Sequence, residues 1–379
     1  MNKPIRILQA VVSNDKGGLT GYICQNYRYI DKSRIQFDFL TYETELDFQE
    51  EFEKLGAKFY VVPRPSHFLT YIKSLKRIYN QTDYVAVHFN ISYANFLPLL
   101  AAKWTGFKHI IIHSHSTGID DKRKLFRIIK KSIHYVGKLL MPLLGTDFLA
   151  CSQLAGEWMY PTSVLQGKKY HLAKNAIDLD KYRLNPVIRK SARDKLQIGE
   201  KTFCIGHIGR FSYQKNHGFL IRTFATVHKE CPDSCLLLIG GHMNGDEYYE
   251  EAQDLVRQLH LEKAVHFLGT RKDVPELLQA IDCFVLPSHF EGLPIVGIEA
   301  QAAGIPCIVS DVITRDLDIN NGLVHFISLF DQDKWINSIM ACYGFTKVDQ
   351  LEKLRLSGYD IRKESENLVD FYDGIAKLY

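Results

Sequence analysis

Two carboxylates, Glu291 and Glu299, punctuate the stretch LPSHFEGLPIVGIEAQAAGIPCIVSD (residues 286–311), which is otherwise apolar and glycine-bearing. The run CFVLPS reads as a buried strand, HFEG as a loop, Pro294 as a first helical residue whose missing N–H costs nothing there, and Gly304 as the helix stop. Glu291 then sits at the carboxyl end of a strand and Glu299 about a turn into a helix. A helix N-terminus offers unpaired amides and the positive end of a dipole, which together suit a diphosphate. A carboxylate slightly further along accepts hydrogen bonds from both hydroxyls of a ribose. The same spacing is met by a solvent-facing Glu299 and a plain loop charge at Glu291.

Upstream, GRFSYQKNHGFLIRTF sets Arg210 and Lys215 in a loop between a strand and a helix. Two fixed cations there grip a diphosphate and stabilise charge growing on a leaving group. Either loop alone is ordinary surface chemistry; both in one half-chain are much less expected by chance.

Histidines raise a different chemistry. HIIIHSHSTG places His113 and His115 at a strand end, where alternation puts both on one face, but a third ligand is not evident and His88 in VAVHFN is a distant candidate. Zinc is therefore the lesser reading. The Asp-x-Asp triplets at 178–180, 316–318 and 331–333 are explained by a linker, a post-sheet loop and a helix cap. No essential metal or other cofactor is expected.

The elements that must position these residues form two series. IRILQAVV, QFDFLTY, KFYVVP, YVAVHFN, HIIIHSH and DFLACS alternate with helix-length segments, and FCIGHIGR, CLLLIGG, AVHFLG, CFVLPS and PCIVSD repeat the arrangement. Such spacing predicts two α/β, Rossmann-like domains with parallel sheets. If they face a shared cleft, their strand carboxyl ends carry the binding loops. The polar segment 171–201 reads as the linker. The expected division is 1–177 and 178–363, with 364–379 a helix by its spacing of Leu368, Phe371, Tyr372 and Ile375.

Composition limits the rest. The chain of 379 residues is 46% hydrophobic and 24% charged, with formal charge +4, too mild to demand nucleic acid. Its eight cysteines are scattered, without zinc spacing, and read as buried thiols of a reducing compartment. No stretch reaches the roughly 18–20 apolar residues of a spanning helix, so a soluble or peripheral cytoplasmic protein is expected. Residues 122–145, KRKLFRIIKKSIHYVGKLLMPLLG, hold basic residues and no acids, interleaved with Leu125, Phe126, Ile128, Ile129, Ile133 and Val136. Such a helix suits either an anionic membrane surface or a core contact with a solvated basic face.

Taken jointly, GRFSYQKN, LLLIGG, VHFLGTRKDVPELLQAIDCFVLPS and FEGLPIVGIEAQAAG resemble the donor-binding half of glycosyltransferase family 4, the retaining GT-B enzymes, particularly the bacterial members that build capsular and exopolysaccharides. The match is specific over residues 202–312. The resemblance implies that Glu299 holds the ribose and that Arg210 and Lys215 clamp the diphosphate. Glu291, Gly292 and Leu293 would lie beside donor sugar and diphosphate, and Arg271 near the base. It further implies that Gly17 and Gly18 form a glycine loop approaching the donor, that His115 lies close to the transferred sugar, and that a C-terminal helix crosses back to the first domain. The substrates would be a nucleotide-sugar donor, with UDP favoured as common among related enzymes, and a lipid-linked saccharide acceptor.

Two features depart from that pattern: KNAID (174–178) where the family has a Pro-Asn-Gly run, and DVITRDLDINNGLVHFISL in place of a glycine-rich ending. Two rivals stand beside the transferase: a GT-B-fold epimerase or phosphorylase, which fits the Arg and Lys clamp poorly, and a non-catalytic partner stabilising another transferase.

Overall fold

The computed structural model describes residues 3–14, 17–242 and 247–377. Among them the chain forms two compact units. One runs to Ile119, resumes over Arg123–Ala176 and takes in the chain from Asp360; the other comprises Asp120–Lys122 and Ile177–Tyr359.

The first unit is built on seven strands: β1 (Ile5–Val12), β2 (Ile35–Thr41), β3 (Phe59–Val61), β4 (Tyr84–Ile91), β5 (His109–Ser114), β6 (Asp147–Ala150) and β7 (Tyr170–Leu172). They lie in the order β3-β2-β1-β4-β5-β6-β7, and all pairings are parallel. The second carries β8 (Phe203–Ile208), β9 (Ser234–Ile239), β10 (Val265–Gly269), β11 (Cys283–Leu286), β12 (Cys307–Ser310) and β13 (Val324–Ile327), in the order β10-β9-β8-β11-β12-β13, again parallel. Central strands such as β2, β8 and β9 are buried at every residue, because helices cover both faces of a parallel sheet and leave no alternating polar side. Strand order reverses between β1 and β4 in one sheet and between β8 and β11 in the other. At such a switch point the connections leave in opposite directions and open a crevice at the strand carboxyl ends.

The sequence reading missed β7 and β13. Both are short outer strands, YHL and VHFI, with exposed residues. The polar segment 171–201 is not a bare linker. It takes in the end of β7, a 3-10 turn (Leu179–Tyr182) and a helix (Pro186–Lys195) whose cap residue Asn185 accepts from the amides of Val187 and Ile188 at 2.9 and 3.2 Å. Arg193 of that helix is buried and donates to the Ala280 carbonyl at 2.8 Å, which fastens it to the second unit.

The C-terminal helix (Ile361–Ala376) belongs to the first unit. Its Leu368, Val369, Tyr372 and Ile375 enter the core with Ile7, Tyr27 and Phe37. Buried Tyr372 is hydrogen-bonded through its hydroxyl, which accepts from Gln9 Nε2 at 3.0 Å and lies 2.6 Å from His88 Nδ1.

Candidate active site

In the second unit the loops leaving β8 and β11 are knitted together. Gly209 and Gly240 allow close approach, since a β-carbon on Gly240 would meet the Gly209 carbonyl and one on Gly209 would meet the Lys215 stem. Asn216 adopts a left-handed conformation (φ 56°) just before the helix His217–Glu230, and its Nδ2 donates to the Pro287 carbonyl at 3.2 Å. The His289 amide donates to the Gln214 carbonyl at 2.8 Å, Gln214 Nε2 to the Phe290 carbonyl at 2.9 Å, and the Tyr213 and His289 rings stack at 4.6 Å.

These bonds bring Lys215 and Glu291 together. The Glu291 side chain is only 8% exposed, and Oε1 receives Lys215 Nζ at 2.6 Å and Ser288 Oγ at 2.8 Å, while Oε2 receives Gln214 Nε2 at 3.0 Å. A buried carboxylate must be paired and hydrogen-bonded to persist in its charged form. The consequence is a lysine ammonium held in one position at the switch point. Gly292 and Leu293 follow in the same loop, with Leu293 buried. Arg210 is half-exposed at the other end of the β8 loop, its Nη2 3.8 Å from Asp120 Oδ2. Asp120 Oδ1 also accepts from the Gln214 amide at 3.3 Å, so one carboxylate spans the loop.

The helix after β11 runs Ile295–Ala302, with Pro294 as its cap rather than its first residue. Proline there has ψ 106°, which is extended, so the helical amides begin one residue later than expected. Gly304 ends the helix in the left-handed region, φ +69°. Glu299 lies partly buried on this helix and accepts from the Tyr182 hydroxyl at 2.6 Å. Burial pushes its carboxyl up to about 7, against a smaller downward pull from the Tyr182 bond. Arg271, between β10 and the next helix, is engaged locally by Asp273 at 2.8 and 2.6 Å and forms no bond to Glu291, Lys215 or Arg210 among the described residues.

The remaining candidates lie in the first unit. Gly17 caps the helix Gly18–Tyr29 with ordinary backbone angles (φ −69°), and its carbonyl accepts from the Gly21 amide at 3.0 Å. Residues 15 and 16, just before it, lie outside the described residues. His115 follows β5 and sits 2.9 Å through Nε2 from Asn90 Oδ1. Because Asn90 Nδ2 donates to Gln9 Oε1 at 3.0 Å, Oδ1 is the atom turned to His115, and Nε2 carries the proton. Nδ1 is thereby left as an acceptor, buried and without a hydrogen-bond partner. Burial depresses the imidazole to about 3, so it stays neutral.

His113 and His115 do share a face, with ring centroids 4.0 Å apart and His88 5.4 Å from His113. His88 and His113 stack face to face, at 20°, rather than converging on a point, and His88 Nδ1 is taken by Tyr372. Among the described residues no group of three or more His, Cys, Asp or Glu is arranged to hold a metal ion.

The basic segment forms one helix, Lys124–Leu144. The core-facing alternative fails for its apolar stripe. Leu125, Ile128, Ile129, Val136, Leu139 and Leu143 recur at helical spacing on one face and are all exposed, Leu139 by 73%. Phe126 is exposed too, while His134, Gly137, Met141 and Leu144 face inward instead. Lys124, Arg127, Lys131 and Lys138 flank the stripe. No helix among the described residues is long and apolar enough to cross a membrane.

Sequence reading did not find Tyr182, Gln214, Ser288 or Asp120. Only Gln214 and Ser288 carried a signal, lying inside motifs already singled out; Tyr182 and Asp120 reach the site from 117 and 94 residues away.

Residues 188–321 match the family model for glycosyl transferases group 1. EpsF of Bacillus subtilis (strain 168), a protein named as a glycosyltransferase, is 32% identical over 380 residues, covering 97% of this chain and 96% of its own. A UDP-Gal:α-D-GlcNAc-diphosphoundecaprenol α-1,3-galactosyltransferase of Escherichia coli is 26% identical over 79% of this chain and 78% of its own. Among solved structures, HepE of Anabaena in complex with UDP-glucose superposes with TM-score 0.73 at 19% identity over 99% of both chains. WaaG, a glycosyltransferase involved in lipopolysaccharide biosynthesis, gives 0.73 at 17% identity over 98% of this chain and 100% of its own. These neighbours share the two parallel-sheet α/β domains of the GT-B fold. With a full-length relative at this identity and the motif-bearing region matched, the chain belongs to the group 1 glycosyl transferases, the GT4-like glycosyltransferases of GT-B fold.

Proposed function

We propose that the protein is a retaining hexosyltransferase that moves a sugar from a nucleotide-diphosphate sugar, UDP-linked, to a hydroxyl of a lipid-linked saccharide in capsular or exopolysaccharide synthesis. The observation that carries this reading is the Lys215–Glu291 pair, fixed by Ser288 and Gln214 at the switch point of the second sheet. Lys215, Arg210 and the amides at the start of the Ile295–Ala302 helix neutralise the departing diphosphate, so the reaction needs no metal ion for that purpose. Bond cleavage leaves the electron pair on the diphosphate. The acceptor hydroxyl attacks from the same face and passes its proton to a leaving-group phosphate oxygen. Glu291, with Gly292 and Leu293, lies beside sugar and diphosphate, and Arg271 serves the base. In the first unit, His115 Nδ1 accepts from a sugar hydroxyl, and Gly17 and Gly18 leave backbone open to substrate. The Lys124–Leu144 helix rests its exposed stripe on an anionic membrane, at the inner face of the cell membrane.

Glu299 gives this reading a proton signature. In the unliganded protein its raised carboxyl contributes stability that is present below the ordinary carboxylate range and lost as pH rises through about 7. Ribose hydroxyls donating to the carboxylate favour the charged form and pull the group back down. Calorimetric titration with UDP at pH 7, in buffers of different ionisation enthalpy, is therefore expected to show roughly half a proton more released by wild type than by Glu299→Gln. The variant also binds more weakly. Equal proton release from the two proteins would remove Glu299 from the ribose site.

A further inference from the structure

One oxygen of the Glu299 carboxylate is already engaged. Its Oε1 accepts from the Tyr182 hydroxyl at 2.6 Å, and among the described residues Glu299 takes no other hydrogen bond or ion pair. A carboxylate offers about four lone-pair sites, so Tyr182 uses one and leaves room for two ribose hydroxyls. Burial disfavours the charged form of Glu299, and the bond from Tyr182 opposes that penalty.

The tyrosine is itself held in place. It ends the 3-10 turn Leu179–Tyr182, whose Leu179 is fully buried. The buried side-chain amide of Gln279 donates through Nε2 to the Tyr182 carbonyl at 3.1 Å and accepts the Asn185 amide on Oε1 at 3.0 Å. The Gln279 carbonyl in turn receives Arg189 Nη1 at 2.9 Å and Lys347 Nζ at 3.0 Å. A braced turn thus sets one hydroxyl on one carboxylate oxygen. The other charged groups of the elements packed around the pair are engaged among themselves: Asp178 with Lys181 at 3.6 Å, Asp180 with Arg355 and Arg183 at 2.7 and 3.8 Å, and Glu352 with Arg355 at 4.0 Å, beside an exposed Lys353. Glu276, on the helix Val274–Ala280, adds negative charge near the Tyr182 hydroxyl, as Asp178 does. The Cys307 thiol of β12, raised by burial, stays neutral.

We propose that Tyr182 is a positioning residue of the donor site, its hydroxyl fixing the Glu299 carboxylate to receive the ribose hydroxyls. The inference rests on the assignment of Glu299 to the ribose and adds the group that orients it. A glutamate free to turn would lose rotamer freedom when the ribose binds, whereas one already held by a tyrosine has lost it on folding.

The test is the UDP affinity of wild type, Tyr182→Phe, Glu299→Gln and the double variant, measured by calorimetry at pH 6 and pH 8.5. Tyr182→Phe keeps the ring and removes only the hydroxyl. Without that bond the carboxylate is harder to ionise, so low pH should penalise the variant more than wild type. Its affinity is expected to lie at least about tenfold below wild type at pH 6, with the deficit smaller by about threefold or more at pH 8.5. Titration of the UDP phosphates is common to both proteins and cancels in the ratio. In the Glu299→Gln background the same substitution should give a deficit that does not vary with pH. A deficit equal at the two pH values with Glu299 present would make Tyr182 a packing residue and overturn the proposal. So would unchanged or tighter binding by Tyr182→Phe, the latter meaning that the hydroxyl competes with the ribose. Glu299→Gln binding UDP as tightly as wild type would sink the ribose assignment and this inference with it, whereas a loss in Glu299→Gln with none in Tyr182→Phe overturns the role of Tyr182 alone.

Discussion

Arg210→Ala is expected to lower turnover by about a hundredfold or more while leaving the unfolding midpoint unchanged, and Lys215→Ala to lose at least as much rate and also destabilise the second unit by about 3 kcal/mol. The difference follows from burial. Arg210 is 47% exposed and lies 3.8 Å from Asp120, a pairing that contributes little to folding. Lys215 is 15% exposed against a Glu291 side chain at 8%, and removing it takes the Nζ at 2.6 Å from a buried carboxylate that also receives Ser288 and Gln214. Both cations act on charge that grows as the diphosphate leaves, so the loss falls on kcat more than on the donor KM. Steady-state kinetics at saturating acceptor and urea unfolding of the two variants measure the separation. Turnover of Arg210→Ala within tenfold of wild type would contradict the clamp. The double variant should lose less than the product of the single losses, because the two cations serve one leaving group.

The second large effect concerns the lipid surface. Replacing Leu125, Ile128 and Leu139 with serine should weaken binding to phosphatidylglycerol vesicles by at least about a hundredfold, since fully burying each such side chain is worth roughly 1.5–3 kcal/mol and a part of that per residue is enough. The three are 65%, 53% and 73% exposed, so the fold should not feel the change. Replacing Lys124, Arg127 and Lys131 with glutamine removes about 1 kcal/mol each on an anionic surface, and high salt should mimic that loss. Vesicle co-sedimentation separates the two contributions. Equal binding to phosphatidylcholine and phosphatidylglycerol vesicles, or full binding by the serine variant, would rule out this docking mode.

What was legible in the sequence follows from which interactions are local. β1, β4, β5, β8, β9 and β11 were readable because a strand buried on both faces writes a continuous apolar run. β7 and β13 were not, being outer strands of three and four residues with polar or exposed positions. The loops holding Lys215 and Glu291 were visible as strand-to-helix junctions, yet nothing in either motif announces that the two side chains meet at 2.6 Å. Tyr182 and Asp120 were invisible because their contacts close long loops in the chain and leave no periodic trace. The basic helix shows another limit: the same amphipathic spacing serves a stripe turned inward or outward, and only the inward placement of His134, Gly137 and Met141 decides it.

The most direct test of the central claim is to incubate the protein, with a chelator present, with UDP-sugars labelled with ¹³C at the anomeric carbon and a saccharide linked to a lipid through diphosphate, and to read the product's anomeric configuration by NMR. The account predicts transfer that depends on acceptor, with the donor's anomeric configuration kept, and with Lys215→Ala and Arg210→Ala each at about a hundredth of the wild-type rate or less. An inverted product, or sugar released at the same rate without acceptor, would contradict it.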